Sequence, residues 1–304
     1  MSISEDELKE RTVSITSSYD GISQKVAFIQ IENKSRPLVV ALHTWGYDYT
    51  QDSRNEYFKH CAEREWNCIF PDFRGRNNRP EACGSEAALT DILDAVQWAK
   101  SVFTIDPRRV FLAGASGGGH MALNAAGHAP SVWTAVSVWS PISDCARWHR
   151  ETIERGLLYA SDLEKACGGA PGTSRDIDSE YAKRSPLTSL WRAHIIPIDI
   201  NNGIHDGHTG LGGEGSVPVG HSIRAYNELV TATGKSKKMI SEDVIDYIER
   251  EEHIPEKYHT GNCADSTFSR RIYLRRTSGL TRLTLFDGGN EILYDEAFRW
   301  FDRF

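Results

Sequence analysis

Apolar residues along this chain fall into two rhythms. Short unbroken runs, Pro37 to Leu42, Asn67 to Phe70, Val110 to Ala113 and Ala135 to Trp139, suit strands buried on both faces. Between them the apolar positions open to helical spacing: Asn55 to Glu65 can cross back over a sheet, and Leu89, Ile92, Leu93, Val96 and Phe103 line one helix face. Asp106-Pro107 is expected to close that second element before the next strand. The beginning differs. Val13 to Thr16 and Val26 to Ile31 flank the turn signal Tyr19-Asp20-Gly21, which predicts an antiparallel hairpin.

Strands alternating with amphipathic helices predict an α/β fold with a mainly parallel sheet, right-handed crossovers and helices on both faces. We read residues 1–304 as a single domain. Two stretches break the alternation: 142–193 is too long for a simple connection, and 235–270 is polar apart from an amphipathic segment around Val244 to Ile248. Both are expected to be cap-like insertions over the carboxyl ends of the strands, where such sheets bind ligands.

Composition narrows the partners. Charged residues make up 25% of the chain and apolar ones 39%, ordinary for a soluble enzyme, and the net charge of -7 argues against a nucleic-acid or anionic-membrane surface. No run approaches the length of a membrane span and the N-terminus is acidic, so a cytoplasmic location is expected. Six cysteines lie scattered without Cys-x-x-Cys spacing, which indicates packed thiols rather than a metal or redox motif. No cofactor is implied.

The chemistry concentrates at Gly114-Ala115-Ser116-Gly117-Gly118. Gly-x-Ser-x-Gly between a buried strand and a helix-forming stretch is the way a hydrolase presents a nucleophilic serine, with glycines where a Cβ would clash. The strand-to-helix context is what raises this motif above chance.

From these residues the chain resembles the α/β-hydrolase superfamily, and within it the catalytic domains of the prolyl oligopeptidase-like and esterase group. The carriers are Leu42-His43-Thr44-Trp45-Gly46, Pro71-Asp72-Phe73-Arg74-Gly75, Asp106-Pro107-Arg108-Arg109-Val110 leading to the serine, and Arg184-Ser185-Pro186-Leu187. Pro197 to Asp206 is similar to the strand and loop that bear the triad acid, which makes Asp206, rather than Asp199 inside the strand, the expected carboxylate. The resemblance implies an oxyanion hole from the amides of Gly117 and Trp45. It also demands a histidine after the last strand, where this chain reads Phe286-Asp287-Gly288-Gly289-Asn290-Glu291. Asn290 cannot accept and return a proton near neutral pH, so Ser116 would lack its activator. Three accounts stand open: an engineered inactivation, a natural pseudoenzyme, or a histidine supplied from elsewhere. A structural role is open too, because Asn290 precedes a helical pattern from Glu291 to Phe301 and asparagine is a favoured N-cap.

Other polar clusters carry weaker readings. Asp206 before Gly207 could be a turn residue. His205, His208 and His221 gather near it in sequence but match no metal-ligand spacing, and His120 reads as a packed helix residue. Gly207 to Gly215 lacks the lysine of a phosphate loop and reads as a loop bordering the cleft. In the first insertion, Arg147, Trp148 and Arg150 are candidates to meet an anionic or sugar-like substrate; the alternative is a solvated helix face with one buried tryptophan.

Together these readings imply a serine hydrolase acting through an acyl-enzyme. With no propeller-like stretch before the motif, a carboxylic ester, such as an acylated carbohydrate, is a slightly better expectation than a peptide bond. A non-catalytic binding protein that keeps the cleft is the rival, and the oligomeric state is not readable.

Overall fold

The computed structural model describes residues 11–31, 34–208, 216–258 and 265–304. Among the described residues nine strands form one sheet: β1 (Arg11–Thr16), β2 (Ser23–Ile29), β3 (Arg36–Leu42), β4 (Asn67–Pro71), β5 (Ile105–Ala115), β6 (Ala135–Trp139), β7 (Ile198–Gly203), β8 (Ile272–Ser278) and β9 (Thr281–Phe286). Their order is β1-β2-β4-β3-β5-β6-β7-β9-β8. From β4 to β9 across the middle every pair is parallel, while β1, β2 and β8 are antiparallel additions at the edges.

The unbroken apolar runs are explained by what covers the sheet. In β3, Leu38, Val40 and Leu42 point into one large cluster and Val39 and Ala41 into a second one on the opposite face. Period-two alternation therefore divides a continuous apolar strand between two cores. The first core takes α2 (Glu86–Val102), α3 (Gly117–His128) and α7 (Gly220–Ala232); the second takes α1 (Arg54–Glu63) and α9 (Tyr294–Phe301).

Three expectations need correction. Asp106 and Pro107 do not separate helix from strand but lie within β5, where the pairing with β3 shifts register between Arg36 and Leu38. That irregularity accommodates a residue with no amide proton. Strand β8 was not anticipated, because its run of Arg275 and Arg276 reads as surface. The second insertion is not a cap: α8 (Glu242–Glu251) buries Val244, Ile245 and Ile248 in the main core beside α7.

The first insertion does form a separate layer. Helices α4 (Cys145–Glu154), α5 (Tyr159–Cys167) and α6 (Arg175–Arg184) enclose a small core of Trp148, Leu163, Cys167 and Tyr181, and that core also contains Trp45. The described cysteines are all buried and unpaired.

Candidate active site

Ser116 sits between β5 and α3 with φ 53° and ψ -119°, a conformation costly for a residue with a Cβ. Two backbone bonds hold it there. Its amide donates to the Trp139 carbonyl of β6 at 2.8 Å, and its carbonyl accepts from the His120 amide at 2.9 Å. The next residue must be glycine, since a Cβ on Gly117 would lie 2.4 Å from the Trp45 amide nitrogen. The backbones of Gly117 and Trp45 are thereby in close contact beside the serine.

Trp45 is held by its side chain. It lies edge-on to Trp148 with ring centres 4.7 Å apart, its indole N–H donates to Asp162 at 3.3 Å, and its carbonyl accepts from the Asn77 amide at 3.0 Å. Trp148 in turn stacks on Tyr159 and donates its indole N–H to the Ser216 carbonyl at 2.6 Å. So Trp148 is a buried prop behind the Trp45 loop, not a surface for substrate. Arg147 pairs with Glu151 on its own helix, and Arg150 lines a cavity of about 670 Å³ between α4 and α6 whose walls include neither Ser116, Asp206 nor Asn290. Arg147, Trp148 and Arg150 thus face three different surroundings, an ion pair, a buried core and a side cavity, because successive helix positions point in different directions.

Asp206 lies on the loop after β7, and Asp199 inside β7 is taken up by Arg282 at 2.6 Å. Asp206 is almost fully buried, with one carboxylate oxygen accepting from the Val217 amide at 3.1 Å and the other from Asn290 at 2.9 Å and Asn202 at 3.4 Å. Burial pushes its pKa up to about 6, against these hydrogen bonds, which pull it down. Asn290 is not a helix cap, since α9 begins only after Leu293. Its Nδ2 instead donates to Asp206, as the Nδ1–H of a triad histidine would.

The loops of acid and asparagine are fitted backbone to backbone. A Cβ on Gly203 would lie 2.2 Å from the Gly288 carbonyl carbon, and the His205 amide donates to the Gly288 carbonyl at 3.0 Å. Ala115, beside Ser116, and Ile292 and Leu293, just after Asn290, pack on one cluster with Trp139 and Phe286.

The remaining histidines do other work. His205 bridges Glu252 at 2.5 Å and Asp287 at 3.1 Å, and His208 meets Glu252 at 3.5 Å. His221 lies apart, fully buried against Glu151 at 2.9 Å. His120 is buried and bonded to the Arg184 carbonyl at 2.7 Å. Among the described residues no group of three or more His, Cys, Asp or Glu side chains is placed to hold a metal ion. Of the glycine-rich loop, Gly207 adopts φ 101° and residues 209–215 lie outside the described part. Sequence reasoning missed Asn202, Val217 and the prop role of Trp148; a buried asparagine pair at the end of an apolar strand was the one available signal.

Comparison with known proteins bears on the fold. Residues 54–196 match the model of the prolyl oligopeptidase family, a stretch that holds Ser116 and stops short of Asp206 and Asn290. No curated protein matches the chain. Among solved structures, a puromycin-hydrolyzing peptidase from Mycobacterium tuberculosis is 21% identical over 76% of this chain and 34% of its own, with a TM-score of 0.57. An acylaminoacyl peptidase from Pyrococcus horikoshii is 16% identical over 74% of this chain and 35% of its own, at 0.57. Prolyl oligopeptidase B from Galerina marginata is 16% identical over 81% of this chain and 36% of its own, at 0.60. This chain thus spans about a third of the length of these relatives. The fold is that of the prolyl oligopeptidase-like α/β-hydrolases. No helix of the described residues is long and apolar enough to cross a membrane.

Proposed function

Given that fold and family match, we propose that this chain is a serine hydrolase domain built for acyl transfer to water and held in a nearly inactive form by Asn290. The observation that carries the reading is the elbow: Ser116 at φ 53° with Gly117 pressed against the Trp45 amide. In the chemistry this geometry supports, Ser116 Oγ attacks a carbonyl carbon and the developing oxyanion takes hydrogen bonds from the amides of Gly117 and Trp45. The serine proton must then leave. Asn290 keeps the bond to Asp206 but offers no basic nitrogen, so this step has no acceptor and turnover falls by roughly 10⁴ to 10⁶.

The acyl group is bound either to oxygen or to nitrogen in the substrate. The printed names of the structural neighbours are peptidases, which favours an amide or peptide bond; the ester expected from sequence shares the acyl-enzyme and differs in the leaving group. A binding protein is the second reading, favoured by the ordered Asn290–Asp206 bond.

The test compares this chain with Asn290→His on activated esters and on aminoacyl and acylaminoacyl anilides. Restored turnover abolished by Ser116→Ala is expected, and the preferred substrate decides between ester and amide. Two inert proteins, with ligand still retained in the cleft, would replace the hydrolase by the binding protein.

A further inference from the structure

A pocket of about 150 Å³ at the far end of the sheet is walled by four arginines, Arg275, Arg282, Arg299 and Arg303, in a chain whose net charge is -7. Arg282 and its partner Asp199 occupy the second positions of β9 and β7, the amino ends of these parallel strands, whereas Ser116 follows the carboxyl end of β5. The pocket is therefore separate from the candidate active site.

Its polar groups are unevenly matched. Three arginines each meet a carboxylate: Arg282 meets Asp199 at 2.6 Å, Arg275 meets Asp265 at 2.5 Å and Arg299 meets Glu296 at 3.5 Å. Arg303 has no carboxylate partner among the described residues; its guanidinium carbon lies 4.6 Å from the centre of the Trp300 ring, as does that of Arg282. Trp300 is 4% exposed, and its indole N–H has no acceptor among the described residues. Buried donors are nearly always satisfied, and Asp265 and Glu296 in the wall are taken by Arg275 and Arg299, so what is left without a charged acceptor is Arg303 and the Trp300 N–H. Its volume equals the share of about five water molecules, room for one small anion and its residual hydration.

We propose that this pocket is a binding site for a phosphate-class oxyanion, free or at the end of a larger molecule, seated between Arg303, the flanking arginines and the Trp300 N–H. Guanidinium groups present paired donors that match the oxygens of a tetrahedral oxyanion, and the Trp300 N–H supplies a neutral donor from the wall.

The test is calorimetric titration of the full chain with inorganic phosphate and with glycerol 3-phosphate, at fixed ionic strength set by chloride. Wild type is expected to bind one equivalent saturably. Arg303→Gln should weaken binding about tenfold, as loss of one charge-assisted hydrogen bond does, and Trp300→Phe should weaken it less, each with an unchanged far-ultraviolet spectrum. Tighter binding of the ester would assign an esterified phosphate, and equal binding the free anion. Absence of saturable binding to wild type overturns the site, as does binding undiminished in both variants. Arg282 is left intact because its loss would strand the buried Asp199.

Discussion

The two halves of the candidate site are built to the same standard and equipped differently. On the nucleophile side, Ser116, Gly117 and Trp45 are held by backbone bonds, a close contact that only glycine allows, and a column of aromatic rings. On the acid side, Asp206 has its full complement of donors and the two loops interlock at Gly203 and Gly288, yet the side chain that completes it is an amide. Hydrogen-bond geometry and proton transfer are thus separable requirements. Asn290 meets the first at Asp206, where its Nδ2 donates to the carboxylate, and under the proposed function fails the second, because an amide has no nitrogen that titrates near neutral pH.

The largest expected effect restores the missing half. Asn290→His should raise hydrolysis of an activated substrate by about 10⁴ or more, measured as kcat/KM, and Ser116→Ala in that background should remove the gain. If the histidine variant stays at the level of the parent, the acid side is not the only deficiency.

The next effect tests the prop on the nucleophile side. Trp148→Ala removes a fully buried ring from the small core that contains Trp45 and should cost about 3 to 5 kcal/mol in unfolding free energy, measured by urea denaturation. In the Asn290→His background, Trp148→Phe, which keeps most of the packing, should lower kcat with little change in KM if the Trp45 amide binds the transition state.

A smaller effect lies in the pH dependence. The folded pKa of Asp206, about 6, is above its ordinary value of 3.8, so the folded chain binds the extra proton between these limits. Its contribution to stability is fully present below about pH 4 and is lost as pH rises through 6. The stability of wild type relative to Asp206→Asn should therefore fall by roughly 3 kcal/mol between pH 4 and pH 7, in paired denaturation curves. In Asn290→His, an imidazolium beside the carboxylate should move this window to lower pH; an unmoved window would show that the two groups do not meet.

The smallest expected effect is at Arg150. Since it faces the cavity between α4 and α6, Arg150→Ala should leave stability within about 0.5 kcal/mol and leave the restored activity unchanged. A marked rise in KM would return Arg150 to the substrate path.

Much of this was written in local pattern. The continuous apolar runs gave β3 to β6 within a residue or two except at β5, whose early part, with Asp106 and Pro107, joins the sheet through an irregular register that no local signal marks. Strand β8 was hidden because Arg275 acquires partners, Asp265 and Thr284, that lie elsewhere in the chain. Ser116, Gly117, Trp45, Asp206 and Asn290 were named from sequence, and the structure sets Gly117 against Trp45 and Asn290 against Asp206. Arg147, Trp148 and Arg150 were named as a group and take separate surroundings, since adjacency along a helix says nothing about which way each side chain faces.

The sequence by itself determined the alternation of strand and helix, the elbow at Ser116 and the absence of a base at Asn290, because each depends on residue type and near neighbours. Only the tertiary structure decided that Asn290 bonds Asp206 rather than capping α9, that Trp148 supports Trp45, and that four arginines share a pocket with Trp300. These are contacts between segments distant in the chain, fixed by how the sheet and its helices pack, and no local propensity encodes them.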